Sequence, residues 1–155
     1  MTTDATLHGY LAEHAMFQGL PDQQLDLIAS QATMVDVRPQ QRIFKHDTRA
    51  DSFYIVRDGK VGLEVPAIEG EPLVIQTLGE KKVLGWSWLI PPYQWLFDAR
   101  AVNHARVIAL DGARLRAHCD ADPSLGYALL KRFAALMAER LNAARQAAIA
   151  QYSGA

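Results

Sequence analysis

All three tryptophans of this 155-residue sequence fall between Val83 and Ala101, in the run V-L-G-W-S-W-L-I-P-P-Y-Q-W-L-F-D-A-R-A, with Tyr93 and Phe97 among them. Rings held on a loop give large, rigid contacts, and loops carry binding groups more often than the elements they join. The doublet Pro91-Pro92 removes two backbone donors and fixes φ, so the middle of the stretch runs neither as a helix nor as a central strand. The chemistry offered is recognition. Trp86, Trp88, Tyr93, Trp95 and Phe97 would line a largely aromatic pocket, suited to a flat or apolar ligand or to a cation over ring faces. The plainer reading is that the indoles pack between two sheets, which fits Trp88 better than Trp86 or Trp95.

Bond-making chemistry finds little support. Gly85-Trp86-Ser87-Trp88-Leu89 begins as a nucleophile elbow does but ends in leucine, with no strand-to-helix α/β context around it. His8, His14, His46, His104 and His118 show no metal-ligand spacing, and Cys119 beside His118 reads as a helix residue near the core. No glycine-rich phosphate loop is present. The sequence is not that of an enzyme, and neither a metal nor a cofactor is expected.

Composition narrows the class further. Half the residues are hydrophobic and 21% charged, an ordinary globular balance in one domain over residues 1–155. A net charge of −1 gives no electrostatic reason to expect a nucleic acid or an acidic membrane surface as partner. The single cysteine fits a reducing compartment, the N-terminus lacks the features of a signal peptide, and no apolar run approaches the roughly 20 residues of a membrane helix. A cytoplasmic protein is expected.

The elements that position the aromatic stretch follow from the changing period of the apolar residues. Residues 1–32 read as two helices, Leu7 and Leu11 sharing a face of the first and Asp22 capping the second, where Leu25, Ile28 and Ala29 align. Residues 33–111 read as many short, β-branched strands, with Asp58-Gly59 the clearest hairpin turn and Glu69-Gly70-Glu71 a second. Such spacing argues a sandwich or barrel. Residues 112–150 return to helical period: a short helix from Gly112 to Cys119, then Asp122-Pro123 as cap and first helical residue, then a long helix over Ser124–Ile149. Leu125, Leu129, Phe133, Met137 and Leu141 form its apolar stripe, widened by Leu130 and Leu136, while Arg140 and its charged neighbours mostly take other faces. A helix this long calls for a second copy to cover it, so a homodimer is expected.

This order of elements resembles the cyclic nucleotide-binding domain family. The residues carrying the likeness are Phe17-Gln-Gly19-Leu20, Ile43-Phe44, the string Asp51-Ser52-Phe53-Tyr54-Ile55-Val56 leading to Gly59-Lys60-Val61, then Leu78, Gly85, Ala101 and Ala109-Leu110. The resemblance implies an α+β fold, a jelly-roll-like β-roll with N-terminal helices and a long C-terminal helix. It implies a ligand cassette over residues 84–101, with Gly85, Trp86, Ser87, Trp88, Trp95, Phe97 and Arg100 as its candidate ligand-binding residues.

The cassette departs from the family pattern. Trp86 stands where the family has the glutamate that binds the ribose, and Trp95 where it has the arginine that pairs with the cyclic phosphate. An indole offers one donor and no charge, and burying a phosphate without a paired cation is costly. Strand alternation sets Phe97 and Ala99 on one face, with Asp98 and Arg100 on the other. Three readings stand: a sensor of an unidentified small molecule, a protein-interaction domain whose pocket is filled by its own side chains, and a non-standard binder of cyclic AMP or cyclic GMP.

Overall fold

The computed structural model describes residues 4–153, so both ends of the expected 1–155 domain lie outside the described residues. Helices α1 (Asp4–Glu13) and α2 (Asp22–Ser30) come first. Leu7 and Leu11, one helical turn apart, are buried, as is Ile28 of α2. The start of α2 differs from the expected cap. Pro21 is the N-cap residue and no side chain caps the helix, Asp22 being its first residue. The Pro21 carbonyl accepts the amides of Gln24 and Leu25, each at 3.0 Å, and Asp22 keeps a favourable place at the positive end of the helix dipole.

Eight strands follow: β1 (Ala32–Val37), β2 (Arg42–Phe44), β3 (Ser52–Asp58), β4 (Val61–Val65), β5 (Leu73–Leu78), β6 (Val83–Leu84), β7 (Asp98–Ala101) and β8 (Ala105–Asp111). They form two four-stranded antiparallel sheets, ordered β1-β8-β3-β6 and β2-β7-β4-β5. Phe53 and Ile55 from one sheet, and Val61 and Leu63 from the other, fill the space between them.

Asp58-Gly59 makes no hairpin. β3 pairs with β8 and β6, whereas β4 pairs with β5 and β7, so this turn carries the chain from one sheet to the other. The glycine is needed for two reasons: its φ is +89, and a Cβ there would lie 2.6 Å from the His104 carbonyl oxygen. Lys60 donates its amide to Asn103 Oδ1 at 2.9 Å, so the crossing at 58–61 is held to the crossing at 101–105. Glu69-Gly70-Glu71 does join the paired strands β4 and β5.

After the roll come α3 (Gly112–Ala121) and α4 (Pro123–Ser153). Asp111 caps α3 by accepting the Arg114 amide at 3.0 Å, and the Asp122 carboxylate accepts the Ser124 amide at 3.1 Å. α4 runs 31 residues, past the expected end at Ile149. Its buried stripe also departs from expectation. Leu125, Leu129, Phe133 and Arg140 are buried, but Met137 is only half-buried and Leu141 is 71% exposed. Residues four apart drift by about 40° on a helix of 3.6 residues per turn. A row of i+4 steps therefore walks off the core, and the contact passes to Leu136 and Arg140. No described residue of α4 beyond Arg140 is buried.

Candidate functional site

The cassette lies between β6 and β7, and its backbone is tied to the 47–50 turn. Trp95 donates its amide to the Thr48 carbonyl at 2.9 Å and accepts the Asp47 amide at 2.8 Å, while Tyr93 accepts the Ala50 amide at 2.8 Å. Tyr93 is also clasped from outside, with the Arg116 guanidinium 4.1 Å from its ring centroid and Arg49 at 5.8 Å. Asp51 links the two arginines, at 3.1 Å from Arg49 and 3.2 Å from Arg116. The segment between β6 and β7 is built of turns, with no helix in it. It therefore offers no helix N-terminus to an anion.

The three tryptophans take three different places. Trp88 is fully buried, stacked on Phe53 at 4.9 Å and meeting Phe133 of α4 edge-on at 5.3 Å. It joins the cassette to β3 and α4 as a core residue, and its indole N–H has no hydrogen-bond partner. Trp95 is 4% exposed and lies parallel to Phe44 at 3.8 Å, with an interplanar angle of 11°. The Cζ3–Cη2 edge of its ring meets Gly85, where a Cβ would come within 2.5 Å of the indole. Gly85 has a φ of +96, so a side chain there would suffer both from the backbone and from the ring. Trp86 is half-buried at the rim.

What remains between these groups is a cavity of about 10 Å³. That is room for about one water molecule, against the several hundred Å³ of a small-molecule pocket. Gly85, Trp86, Ser87, Trp95 and Phe97 line it, five of the seven candidate residues read from the sequence. Trp88 and Arg100 are not among its walls. Arg100 lies on the face of β7 opposite Ala99, as alternation predicts, and pairs with Glu64 at 3.4 Å and the Gln40 carbonyl at 3.0 Å. On that same face Asp98 accepts the His46 amide at 2.8 Å and contacts the His46 ring at 2.6 Å. Burial alone would raise the Asp98 carboxyl, but these His46 bonds and the Arg42 charge hold it below the usual aspartate value.

Four lining residues, Phe44, Leu63, Leu96 and Arg140, were not among the candidates read from the sequence. Phe44 supplies the ring under Trp95, and Arg140 reaches in from α4. Arg140 is 3% exposed and donates to the Val83 carbonyl and to Glu139, which in turn accepts a bond from Gln76 at 2.7 Å. Burial lowers its guanidinium to about 10. The signal was present in the sequence, since Arg140 continues the Phe133–Leu136 row of α4 by one further turn.

A two-sheet roll that holds a cassette between its strands and lays a long helix over it is the architecture of a cyclic nucleotide-binding β-roll. The sequence profile of the cyclic nucleotide-binding domain matches residues 34–122, more than half of the chain, and the chain belongs to that family. Domains of this family are regulatory rather than catalytic. The fold is also that of a Geobacter metallireducens protein assigned as cyclic nucleotide-binding, at 28% identity and a TM-score of 0.77, with 91% of this chain and 99% of that one covered. The regulatory domain of Toxoplasma gondii protein kinase A, solved with cyclic AMP, aligns at 17% identity and a TM-score of 0.64, over 74% of this chain and 43% of that one. The regulatory subunit of a cyclic AMP-independent protein kinase A from Trypanosoma brucei aligns at 17% identity and 0.68, over 84% and 46%. At 17% identity the likeness of the two kinase proteins defines the fold alone. No curated protein sequence matches the chain.

Among the described residues no cluster of side chains has the makings of a metal site, and no helix is long and apolar enough to cross a membrane.

Proposed function

We propose that this protein is a regulatory module of cyclic nucleotide-binding fold that takes no cyclic nucleotide in the family's manner and acts through protein contacts. One observation carries the reading: the Trp95 indole occupies the cassette between Phe44 and Gly85, leaving about 10 Å³. The cassette also lacks an arginine at the phosphate position, and Arg100 is engaged by Glu64 on the other face of β7. A cyclic phosphate brought here would meet indole rather than a guanidinium fork.

The protein contact argued for first is a second copy of this chain. Tyr127, Leu130 and Leu141 are exposed on α4 at 67%, 44% and 71%. With Ala134, Met137, Ala144 and Ala148 they alternate at three- and four-residue steps, the a and d positions of a heptad. This row flanks the buried stripe and continues past Arg140, where α4 leaves the body of the domain.

All three tryptophans belong to the cassette, so its occupancy is readable by fluorescence. Titration with cyclic AMP and cyclic GMP is expected to leave emission and melting temperature unchanged up to millimolar ligand. A saturable change with a melting temperature that climbs with ligand concentration would overturn the reading.

A further inference from the structure

We infer that the groove between the α1–α2 connection, the β5–β6 turn and α4 docks an acidic segment of a partner protein, one that carries an apolar side chain between its carboxylates. The inference rests on the reading of the chain as a module acting through protein contacts, and it supplies the chemistry of a partner other than a second copy.

The groove lies near the cassette but outside it. Its part against α4 encloses about 450 Å³. A neighbouring part of about 580 Å³, toward Tyr10 and Glu80, shares His14, Ala15, Lys81 and Lys82 with it. His14 builds the saddle between the two: its Nε2 lies 2.6 Å from the Lys81 carbonyl and its Nδ1 accepts the Met16 amide at 3.0 Å. The walls against α4 are apolar, from Met16, Val83, Ala135 and Leu136.

The charge on this apolar bed is one-sided. Lys81, Lys82 and Arg132 have no carboxylate within ion-pair distance among the described residues. Arg132 spends its donors on neutral carbonyls, those of Ala128 at 3.0 Å and Gln18 at 2.7 Å, so its charge stays uncompensated. Glu13 lines only the neighbouring part, so the one carboxylate on the walls against α4 is Glu139, and it is engaged. Glu139 serves Arg140 and Gln76, and Glu80 lies 3.7 Å from Arg57. Three cations without a carboxylate partner among the described residues, around a short apolar trough, complement a segment in which acidic residues bracket a leucine-like side chain. The apolar bed argues against a nucleic acid, which needs a longer basic track.

The groove is distinct from the α4 seam. Arg132, Ala135 and Glu139 lie on the opposite flank of α4 from Leu130, Met137 and Leu141, so both surfaces can be occupied at once.

The test is a titration of the full, isotope-labelled chain by amide chemical shift. The probe is the capped peptide Glu-Glu-Leu-Leu-Asp-Asp, with Gln-Gln-Leu-Leu-Asn-Asn and a single-stranded DNA oligomer as controls. The expected result is saturable shifts at residues 14–18, 81–83 and 132–139 with the acidic peptide only. Affinity should fall about five- to tenfold in Lys82→Glu and, separately, in Arg132→Gln, and fall with added salt. The Lys82 side chain is exposed and makes no contact the fold depends on, so unchanged melting of that variant keeps the comparison sound. No saturable shift up to millimolar peptide, shifts elsewhere, indifference to both variants, or tighter binding of the DNA would each overturn the proposal. If the peptide and the cyclic nucleotides are both silent, the groove proposal alone falls. If a nucleotide binds the cassette, the broader reading falls and the peptide result still judges the groove.

Discussion

Replacing Trp95 with alanine tests whether the indole is the cassette's own occupant. The side chain is 4% exposed, stacked face to face on Phe44 at 3.8 Å, and covers Gly85 so closely that a Cβ there would meet the ring at 2.5 Å. Its removal forfeits the transfer energy of a buried indole and leaves a void whose walls are pinned. The Trp95 backbone is held by hydrogen bonds to residues 47 and 48, and Phe44 belongs to a strand. A tryptophan lost from such a place costs about 3–5 kcal/mol. For a domain of this size that corresponds to a fall of roughly 6–20 °C in melting temperature. The void is flat and apolar, so indole added to Trp95→Ala should raise the melting temperature in a concentration-dependent way while leaving the wild type unmoved. Gly85→Ala completes the cycle. In the wild type it suffers the clash with the ring and a left-handed backbone, the latter worth about 1–2 kcal/mol. In the Trp95→Ala background only the backbone cost should remain. A loss below about 1 kcal/mol for Trp95→Ala, no response to indole, or additive costs for the two substitutions would refute the argument that indole and glycine fill one slot.

Three further outcomes follow from the same geometry. Burial holds the His14 imidazole below its ordinary value, the bond to the Lys81 carbonyl opposing and the Lys81 charge adding to the effect. The unfolded chain then takes up a proton that the folded chain refuses, so stability is full above about pH 6.5 and declines as the pH falls below it; denaturant midpoints between pH 7.5 and pH 5 should show this decline, and His14→Gln should flatten it. Arg140 is buried while Glu139 is half-exposed, so Arg140→Met is expected to stay within about 1 kcal/mol of wild type, whereas Glu139→Ala strands the guanidinium and costs about 1–3 kcal/mol; chemical denaturation giving the reverse order would contradict the geometry. Leu141→Glu, placed on the exposed seam of α4, should shift sedimentation from dimer to monomer with little change in the melting of the roll.

Much of this protein was legible in its residues. Alternation along Ser52-Phe53-Tyr54-Ile55-Val56 marked a strand with one face in the core, and Asp122-Pro123 marked a helix start, because both signals are local. The expectation that Trp86 and Trp95 stand at the places of the family's glutamate and arginine came from residue spacing alone. Long-range pairing decided the rest. Asp58-Gly59 has the composition of a hairpin whichever sheet the next strand joins, and only the pairing of β4 with β7 and β5 turned it into a crossing. The three indoles are chemically identical, and it took Phe53 and Phe133 to make Trp88 a core residue, and Phe44 and Gly85 to make Trp95 a plug. Arg140 reads as a surface charge until the rotation accumulated along α4 brings it under the cassette. Periodicity tells a chain which of its faces is apolar. It does not say what that face will meet, because the partner is supplied by residues far away in sequence, and here those partners closed the cassette.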